Sequence, residues 1–580
     1  MNRIEQAKNE AAALLTAAYE AAAAAGALPR AAVRAPQMEA PKDPQNGDWA
    51  SSFAMQNAKV LAMPPRKVAD ALIAHADLAG SSFSALEAAG PGFLNFRLAH
   101  GFYERVLGDI AAEGADYGRS QAAHPEKIMV EFVSANPTGP MHMGNARGGV
   151  LGDTLAEVLA RAGNDVTREF YVNDAGNQIE KFAQSLAVRY QQELQGEDSV
   201  AFPEDGYHGD DIRVLAREFR AEYGDGWLEK PQPEFHDALV AFGLKRNLAR
   251  MRADLQRYKI EYDVWFFEST LHESGYIAAT VDKLTAGGWT YEKDGALWLR
   301  TSVLLENMYR AQGKTDEEIG KLELKDDVLR RANGFYTYFA ADIAYHRNKF
   351  EERHFDRVIN IWGADHHGHV NRLKCALDAL GLDGSHRLEI VLMQLVNLLR
   401  DGVPVRMSKR TGKAVSLSDL LDEVSVDAAR YFFNSRAADT HLDFDLGLAV
   451  RQDSDNPVYY VQYAHARIKS ILKALAQEGV SAAVRDPDYT LLTEPSEIEL
   501  IRELSKLPEE IRLAAEQRDP SRLTRYVDLV AAAFHKFYTE CRIKDTEEKL
   551  RDARIALCNC TAAVIENTLS TFGVTAPEHM

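Results

Sequence analysis

Apolar residues follow three different rhythms along this chain. Up to about residue 118, helical runs alternate with short extended stretches, and residues 93–96 (Phe-Leu-Asn-Phe) read as a strand, so a small α+β unit is predicted. At residue 127 the rhythm changes. Residues 128–133 are almost continuously apolar and β-branched, the pattern of a parallel strand covered on both faces. A turn rich in Pro and Gly follows, then a helix in which Val150, Leu151, Thr154, Leu155, Val158 and Leu159 share one face. Gly163-Asn164 stops that helix, and residues 166–172 read as the next strand. This is a βαβ unit and predicts a doubly wound, Rossmann-like parallel sheet.

From about residue 190 to 325 the chain is helical and charged with no parallel-strand run, as an insertion would be. The α/β rhythm returns near 326, with a strand at 358–362, a helix at 371–380 and a strand at 388–396. After about 445 the pattern is helical to the end, with Asn456-Pro457 near the boundary. The predicted organisation is therefore an α+β unit over 1–118, a catalytic α/β domain over 119–190 and 326–444, a mostly helical insertion over 191–325, and an all-α domain over 445–580. A length of 580 residues suits about three to five such units. A cut near residue 445 is expected to leave the α/β part foldable.

Composition changes this picture little. Hydrophobic content of 46% and charged content of 26% are those of a soluble globular chain, and no apolar run reaches membrane-spanning length. The alanine-rich stretch 11–25 is interrupted by Glu20 and preceded by Glu5 and Glu10, so it reads as a helix and not as an export signal. Four cysteines (Cys375, Cys541, Cys558, Cys560) make no disulfide framework and no zinc knuckle, which fits a reducing cytoplasm. The formal charge of −19 argues against a nucleic-acid partner only if the 67 Lys and Arg are spread evenly. Local potential is what phosphates feel. Basic stretches occur late, at His465, Arg467, Lys469 and Lys473, and at Lys536, Arg542 and Lys544. Each also reads as a solvated helix face.

Two segments carry candidate chemistry. Residues 135–145 (Ala-Asn-Pro-Thr-Gly-Pro-Met-His-Met-Gly-Asn) form the turn after the first strand, where doubly wound sheets place phosphates on a helix N-terminus. Residues 405–413 (Val-Arg-Met-Ser-Lys-Arg-Thr-Gly-Lys) form a basic, Gly-containing loop after the last strand of the α/β part. Either alone is equally a bland surface loop.

Together they resemble the paired ATP-binding motifs of class I aminoacyl-tRNA synthetases. The family's His-Ile-Gly-His stands here as His142-Met143-Gly144-Asn145, and its Lys-Met-Ser-Lys-Ser as Arg406-Met407-Ser408-Lys409-Arg410. Asn145 cannot become cationic, and Arg406 changes donor geometry, while His142, Gly144 and Lys409 are kept. The more specific resemblance is to arginyl-tRNA synthetases of bacterial type. It rests on 131–140 (Glu-Phe-Val-Ser-Ala-Asn-Pro-Thr-Gly-Pro), on 338–346 (Tyr-Phe-Ala-Ala-Asp-Ile-Ala-Tyr-His), and on 362–367 (Trp-Gly-Ala-Asp-His-His). Gly47-Asp48-Trp49, the stretch 92–96 and the end at Met580 extend the likeness over essentially the whole chain.

The resemblance implies an arginine–tRNA ligase that uses ATP and nucleotide-borne Mg²⁺, binds tRNA(Arg) and works as a monomer off the membrane. It implies that Pro137, Gly139, His142, Gly144, Asn145, Arg406, Met407, Ser408 and Lys409 bind ATP. Of these, His142, Gly144, Asn145 and Lys409 serve catalysis. Arginine would be held by Glu131, Ser134, Asn136, Glu268, Tyr338, Asp342 and His366. The residue chemistry agrees: a guanidinium is best held by carboxylates, and Tyr338 and Asp342, four apart on a helix, face one way. Glu268 also reads as an exposed helix glutamate, and Asp342 as a structural carboxylate. His366, His367 and His369 invite a metal reading, but neighbours on a strand end point oppositely, and none is expected. All site residues are expected to converge on one cleft at the C-terminal strand ends. Two other readings stay open: a tRNA-binding scaffold without catalysis, and a ligase for another amino acid.

Overall fold

The computed structural model describes residues 2–41, 43–405 and 415–580. Its centre is a five-stranded sheet of β1 (Lys127–Glu131), β2 (Asp165–Val172), β3 (Val264–Phe267), β4 (Arg357–Gly363) and β5 (Leu388–Met393). The order is β5-β4-β1-β2-β3 and every pairing is parallel. The chain therefore winds one way from β1 to β3 and the other way from β4 to β5. The switch point lies between β1 and β4, where Asn360 is in register with Glu131.

Period-two alternation explains why these strands are covered on both sides. Ile128 and Val130 join one core with Val150, Leu155 and Val158 of helix α1 (Met143–Arg161). Met129 and Val358 face the other way, into a second core with Ile343 of α2 (Tyr338–Arg347) and Leu373 of α3 (His367–Ala379).

The stretch 191–325 departs from expectation in one respect. Val264–Phe267 is a strand of the central sheet, in register with Glu169 to Val172. Four residues rich in aromatics, bounded by Tyr262-Asp263 and Glu268, are too short to stand out from helical surroundings. The helix Asn177–Gln195 runs through residue 190 and packs through Phe182, Leu186 and Tyr190 against Phe219 and Phe242 of two long helices further on. A small antiparallel sheet (Thr290–Lys293, Ala296–Leu299, Asp327–Arg330) closes this region.

The alanine-rich start is a helix, Arg3–Ala24, that buries Ala7, Ala11, Leu15, Ala18 and Ala22. Its small side chains let it lie close against the N-terminal unit, whose antiparallel sheet includes Phe93–Leu98. Beyond Asp445 all elements are helical. Leu15 and Phe96, Val130 and Leu155, and Leu507, Ile511 and Leu557 belong to one continuous core, so N-terminal, central and C-terminal parts share their packing.

Candidate active site

The loop leaving β1 is strained. Val133 and Ser134 have φ of 70° and 42°, a left-handed conformation that costs a β-branched residue most. Surrounding contacts hold it there. Phe132 lies against Gly152, where a Cβ would come within 2.1 Å of its ring. The Tyr262 hydroxyl donates to the Phe132 carbonyl at 3.0 Å. Ser134 Oγ donates to Glu131 Oε1 at 2.9 Å and accepts from the Tyr171 backbone N–H at 3.1 Å. Further on, Asn247 Nδ2 donates to the Pro137 carbonyl at 2.9 Å.

The loop delivers His142 to the N-cap of α1, exposed and in extended backbone. Asn145 Oδ1 accepts the His142 backbone N–H at 2.9 Å, so this departure from the second family histidine serves as a cap. Among the described residues nothing would meet a Cβ at Gly144, so their packing does not demand a glycine there. A bound molecule lying against the backbone would.

His142 and Asn145, with Val133, Asn136 and Gly139, line a cleft of about 1000 Å³. Its far wall is Tyr207, His208, Asp210 and Asp211 from the region after β2, which the sequence reading did not single out. A Gly-rich acidic run, Asp205-Gly206-Tyr207-His208-Gly209-Asp210-Asp211, was the available signal. Ser416, Ser418 and Asp419 complete it.

Arg406, Met407, Ser408 and Lys409 lie outside the described residues. The residues after that segment are tied to the cleft, and those before it to α1. His142 bridges Ser416, and the Leu417 N–H donates to the Met141 carbonyl at 2.9 Å. On the other flank, Arg147 of α1, fully buried, donates to the carbonyls of Gln394, Ala437 and Thr440 at 2.8, 2.9 and 2.9 Å. Burial lowers its pKa to about 10.

A second group sits beside the cleft. Glu268 follows β3 and is 3% exposed, which removes the exposed-glutamate reading. It accepts from the Tyr171 hydroxyl at 2.8 Å and meets His272 Nε2 at 3.1 Å. Burial and then the Glu268 charge push the Tyr171 pKa far up, so this phenol stays a donor. Asp342, one turn into α2, contacts His369 Nε2 at 2.6 Å and His346 Nδ1 at 3.0 Å. Burial would raise its pKa, but the two histidines outweigh that and hold it well below the usual carboxylate range. Tyr338 is half exposed, its hydroxyl beside Gly176. His366 is exposed beside Trp362, ring centres 6.0 Å apart.

Glu131 is placed differently from the rest. It is buried and closed in an ion pair with Lys349 Nζ at 2.6 Å, with Ser134 on its other oxygen. A substrate ammonium would have to share it. Of the three neighbouring histidines, His369 turns inward to Asp342. Among the described residues no group of His, Cys, Asp and Glu is set to hold a metal ion.

α1 and α2 pack on opposite faces of the sheet, yet His142 and Tyr338 stand at the helix ends that meet its C-terminal edge. That is the crevice a switch point opens between diverging helices. Three family models account for the chain in turn: "Arginyl tRNA synthetase N terminal domain" over 9–98, "tRNA synthetases class I (R), catalytic domain" over 107–445, and "DALR anticodon binding domain" over 461–580.

The chain belongs to the arginyl-tRNA synthetase family.

It is 51% identical to the arginine–tRNA ligase of Acetivibrio thermocellus over 96% of this chain and 95% of that one. It is 49% identical to that of Caldanaerobacter subterraneus over the full length of both. A solved Campylobacter jejuni chain described as an arginyl-tRNA synthetase superposes with a TM-score of 0.73 at 33% identity, covering 83% of this chain and 100% of its own. The Thermus thermophilus arginyl-tRNA synthetase shares the fold, with a TM-score of 0.71 at 22% identity over 98% and 99%.

Proposed function

We propose that this family member activates L-arginine with ATP, giving arginyl-adenylate and pyrophosphate, and passes arginine to the 3′-terminal adenosine of tRNA(Arg). The arginine carboxylate attacks the α-phosphorus in line, so positioning and charge stabilisation carry most of the rate. The observation that supports this most is the pairing of two subsites at one switch point. A helix N-terminus fronts a nucleotide-sized cleft, and Asp342 and Glu268 stand beside it.

His142 and the N-terminus of α1 stabilise the α-phosphate as charge develops, and Gly144 and Gly139 leave room for adenosine. Lys409 and Arg406 neutralise the departing pyrophosphate, with the Ser408 hydroxyl as a further donor; the chain after their segment reaches the cleft at Ser416. Asp342 and Glu268 take the guanidinium, Tyr338 and His366 flank it, and Ser134 and Asn136 address the α-amino group. Glu131, paired with Lys349, supports Ser134 from below. Magnesium comes with the nucleotide and adds positive charge at the phosphates.

The tRNA is met by the C-terminal helices and the N-terminal unit. In the former, Tyr463, Arg467, Tyr538 and Met580 line a groove of about 320 Å³, with Arg467 over the Tyr538 ring at 4.6 Å. Aromatic faces with a guanidinium suit an unstacked base. Of the other late basic positions, His465 is buried, and Lys536 and Lys544 pair with Glu499 and Glu478. The site of action is the cytoplasm, consistent with four free, buried thiols, and the active form is the monomer. Arginine-dependent pyrophosphate exchange, run with and without tRNA, tests the reading. Exchange driven by another amino acid, or none with arginine and tRNA both present, would overturn it.

A further inference from the structure

Asp342 is not a lone carboxylate, and what holds it is held in turn. His346 is 1% exposed, and its Nε2 lies 2.8 Å from Asn360 Nδ2. An amide NH₂ only donates, so Nε2 accepts and the ring proton sits on Nδ1, facing Asp342. The Asn360 amide is oriented by Lys349, whose Nζ lies 3.4 Å from its Oδ1, and both residues are fully buried. On the other side, Arg372 Nη2 lies 3.4 Å from His369 Nδ1, and Arg372 is anchored to Asp327 at 2.7 Å. A guanidinium has no acceptor, so His369 accepts at Nδ1 and donates from Nε2 to Asp342. Asp342 Oδ2 thus receives the His369 N–H at 2.6 Å, while the His346 N–H is shared between the Asp342 backbone carbonyl at 2.9 Å and Oδ1 at 3.0 Å, each ring's tautomer being dictated by a donor-only neighbour.

Resting on the reading of Asp342 as the guanidinium acceptor, we propose that His346 and His369 are positioning residues for arginine recognition. They hold the Asp342 carboxylate in one plane. A carboxylate offers about four lone-pair positions, two to each oxygen. His369 takes one on Oδ2, Oδ1 has a share of the His346 N–H, and the remaining positions are left for the two-pronged guanidinium.

The test is arginine-dependent pyrophosphate exchange on the full chain, reading KM for arginine and for ATP separately, with thermal unfolding alongside. His369→Leu and Asn360→Leu are expected to raise the arginine KM about tenfold or more, with the ATP KM within about twofold. His369→Gln, whose amide can still donate to the carboxylate, is expected to recover most of the loss. An unchanged arginine KM in both leucine variants overturns the proposal. So does a parallel rise in both KM values, or failure of the glutamine rescue. Should Asn360→Leu not fold, the partly exposed His369 position carries the test alone. Asp342→Asn run beside them separates the two failures. If it leaves arginine preference intact, the guanidinium reading falls; if it abolishes preference while His369→Leu does not, only the positioning role falls.

Discussion

Removing the charge of one side chain is the sharpest probe of this site. Asp342 is 24% exposed on its side chain and both oxygens already meet a histidine, so a guanidinium bound as proposed would pair with it largely out of water. Breaking such a pair by deleting one charge costs roughly 3–5 kcal/mol. Asp342→Asn is therefore expected to lower kcat/KM for arginine about a hundredfold or more, with the ATP KM nearly unchanged. Citrulline, neutral and near-isosteric, should be a poor substrate of the unaltered protein, and steady-state kinetics with both amino acids checks this. In the proposed mechanism Lys409 acts at a different moment. Its charge matters most as pyrophosphate leaves, so Lys409→Ala should slow single-turnover adenylate formation by a factor of hundreds, about 3–4 kcal/mol. Arginine affinity should hardly move. Unchanged activation would make that segment a solvated basic stretch. At this scale the sequence spoke clearly where residue type dictates chemistry, as at His142 and Asp342. It was silent on His346, Asn360 and Arg372, because their role depends on which nitrogen faces which neighbour.

Between elements, the consequences run through packing. α1 approaches the loop after β1 so closely that Gly152 has no room for a methyl group beside Phe132. Gly152→Ala should push Phe132 aside, relax the strained Val133-Ser134 turn and displace His142. A loss of about 1–3 kcal/mol in stability is expected, with a raised ATP KM. Denaturant unfolding and exchange kinetics together check it, and wild-type values for both would refute it. Farther along, Asp528 on helix Ser521–Glu540 accepts from the Tyr431 hydroxyl at 2.5 Å, joining two helices across the C-terminal boundary. Burial raises its pKa to about 6. Below about pH 4 it is protonated folded or unfolded and costs nothing. Between about 4 and 6 the folded state holds the proton and the unfolded state releases it, so stability falls as pH rises, then levels off. Asp528→Asn should therefore stabilise the chain by about 1–3 kcal/mol at neutral pH, and not at all near pH 4. A gain that is the same at both values would show that ionisation is not the cause.

Across the whole molecule, texture and packing disagree. The shift to a helical rhythm near residue 445 suggests a separable C-terminal domain, but the core passes through that boundary unbroken. Arg430, fully buried, shows how. It pairs with Asp153 of α1 at 2.5 Å, donates to the carbonyls of Tyr258 and Lys259 at 3.0 and 3.2 Å, and reaches the Phe572 carbonyl near the far end of the chain. A cut at 445 would take the Phe572 carbonyl from Arg430 and bare the face of α1 that packs on the C-terminal helices. The fragment is expected to melt well below the full chain or to aggregate, losing exchange activity along with tRNA charging. A soluble fragment with unaltered melting and normal exchange would contradict this.

What the amino-acid order determined by itself is everything that depends on near neighbours. The apolar run at 128–133, the helical face from Val150 to Leu159 and the alanine helix follow from periodicity, which needs no tertiary partner to be read. Motif chemistry at 131–145 and 338–346 pointed to the family and was sufficient to do so. Only the folded chain decided the rest. Val264–Phe267 became a sheet strand because an open edge beside β2 accepted it, not because four residues specify one. Glu131 was closed in a buried ion pair by Lys349, 218 residues away. Asp342 acquired its two histidines, one of them 27 residues on, by the meeting of α2 and α3. Such pairings are set by burial, where an unmatched charge or N–H is expensive, and burial is a property of the assembled fold.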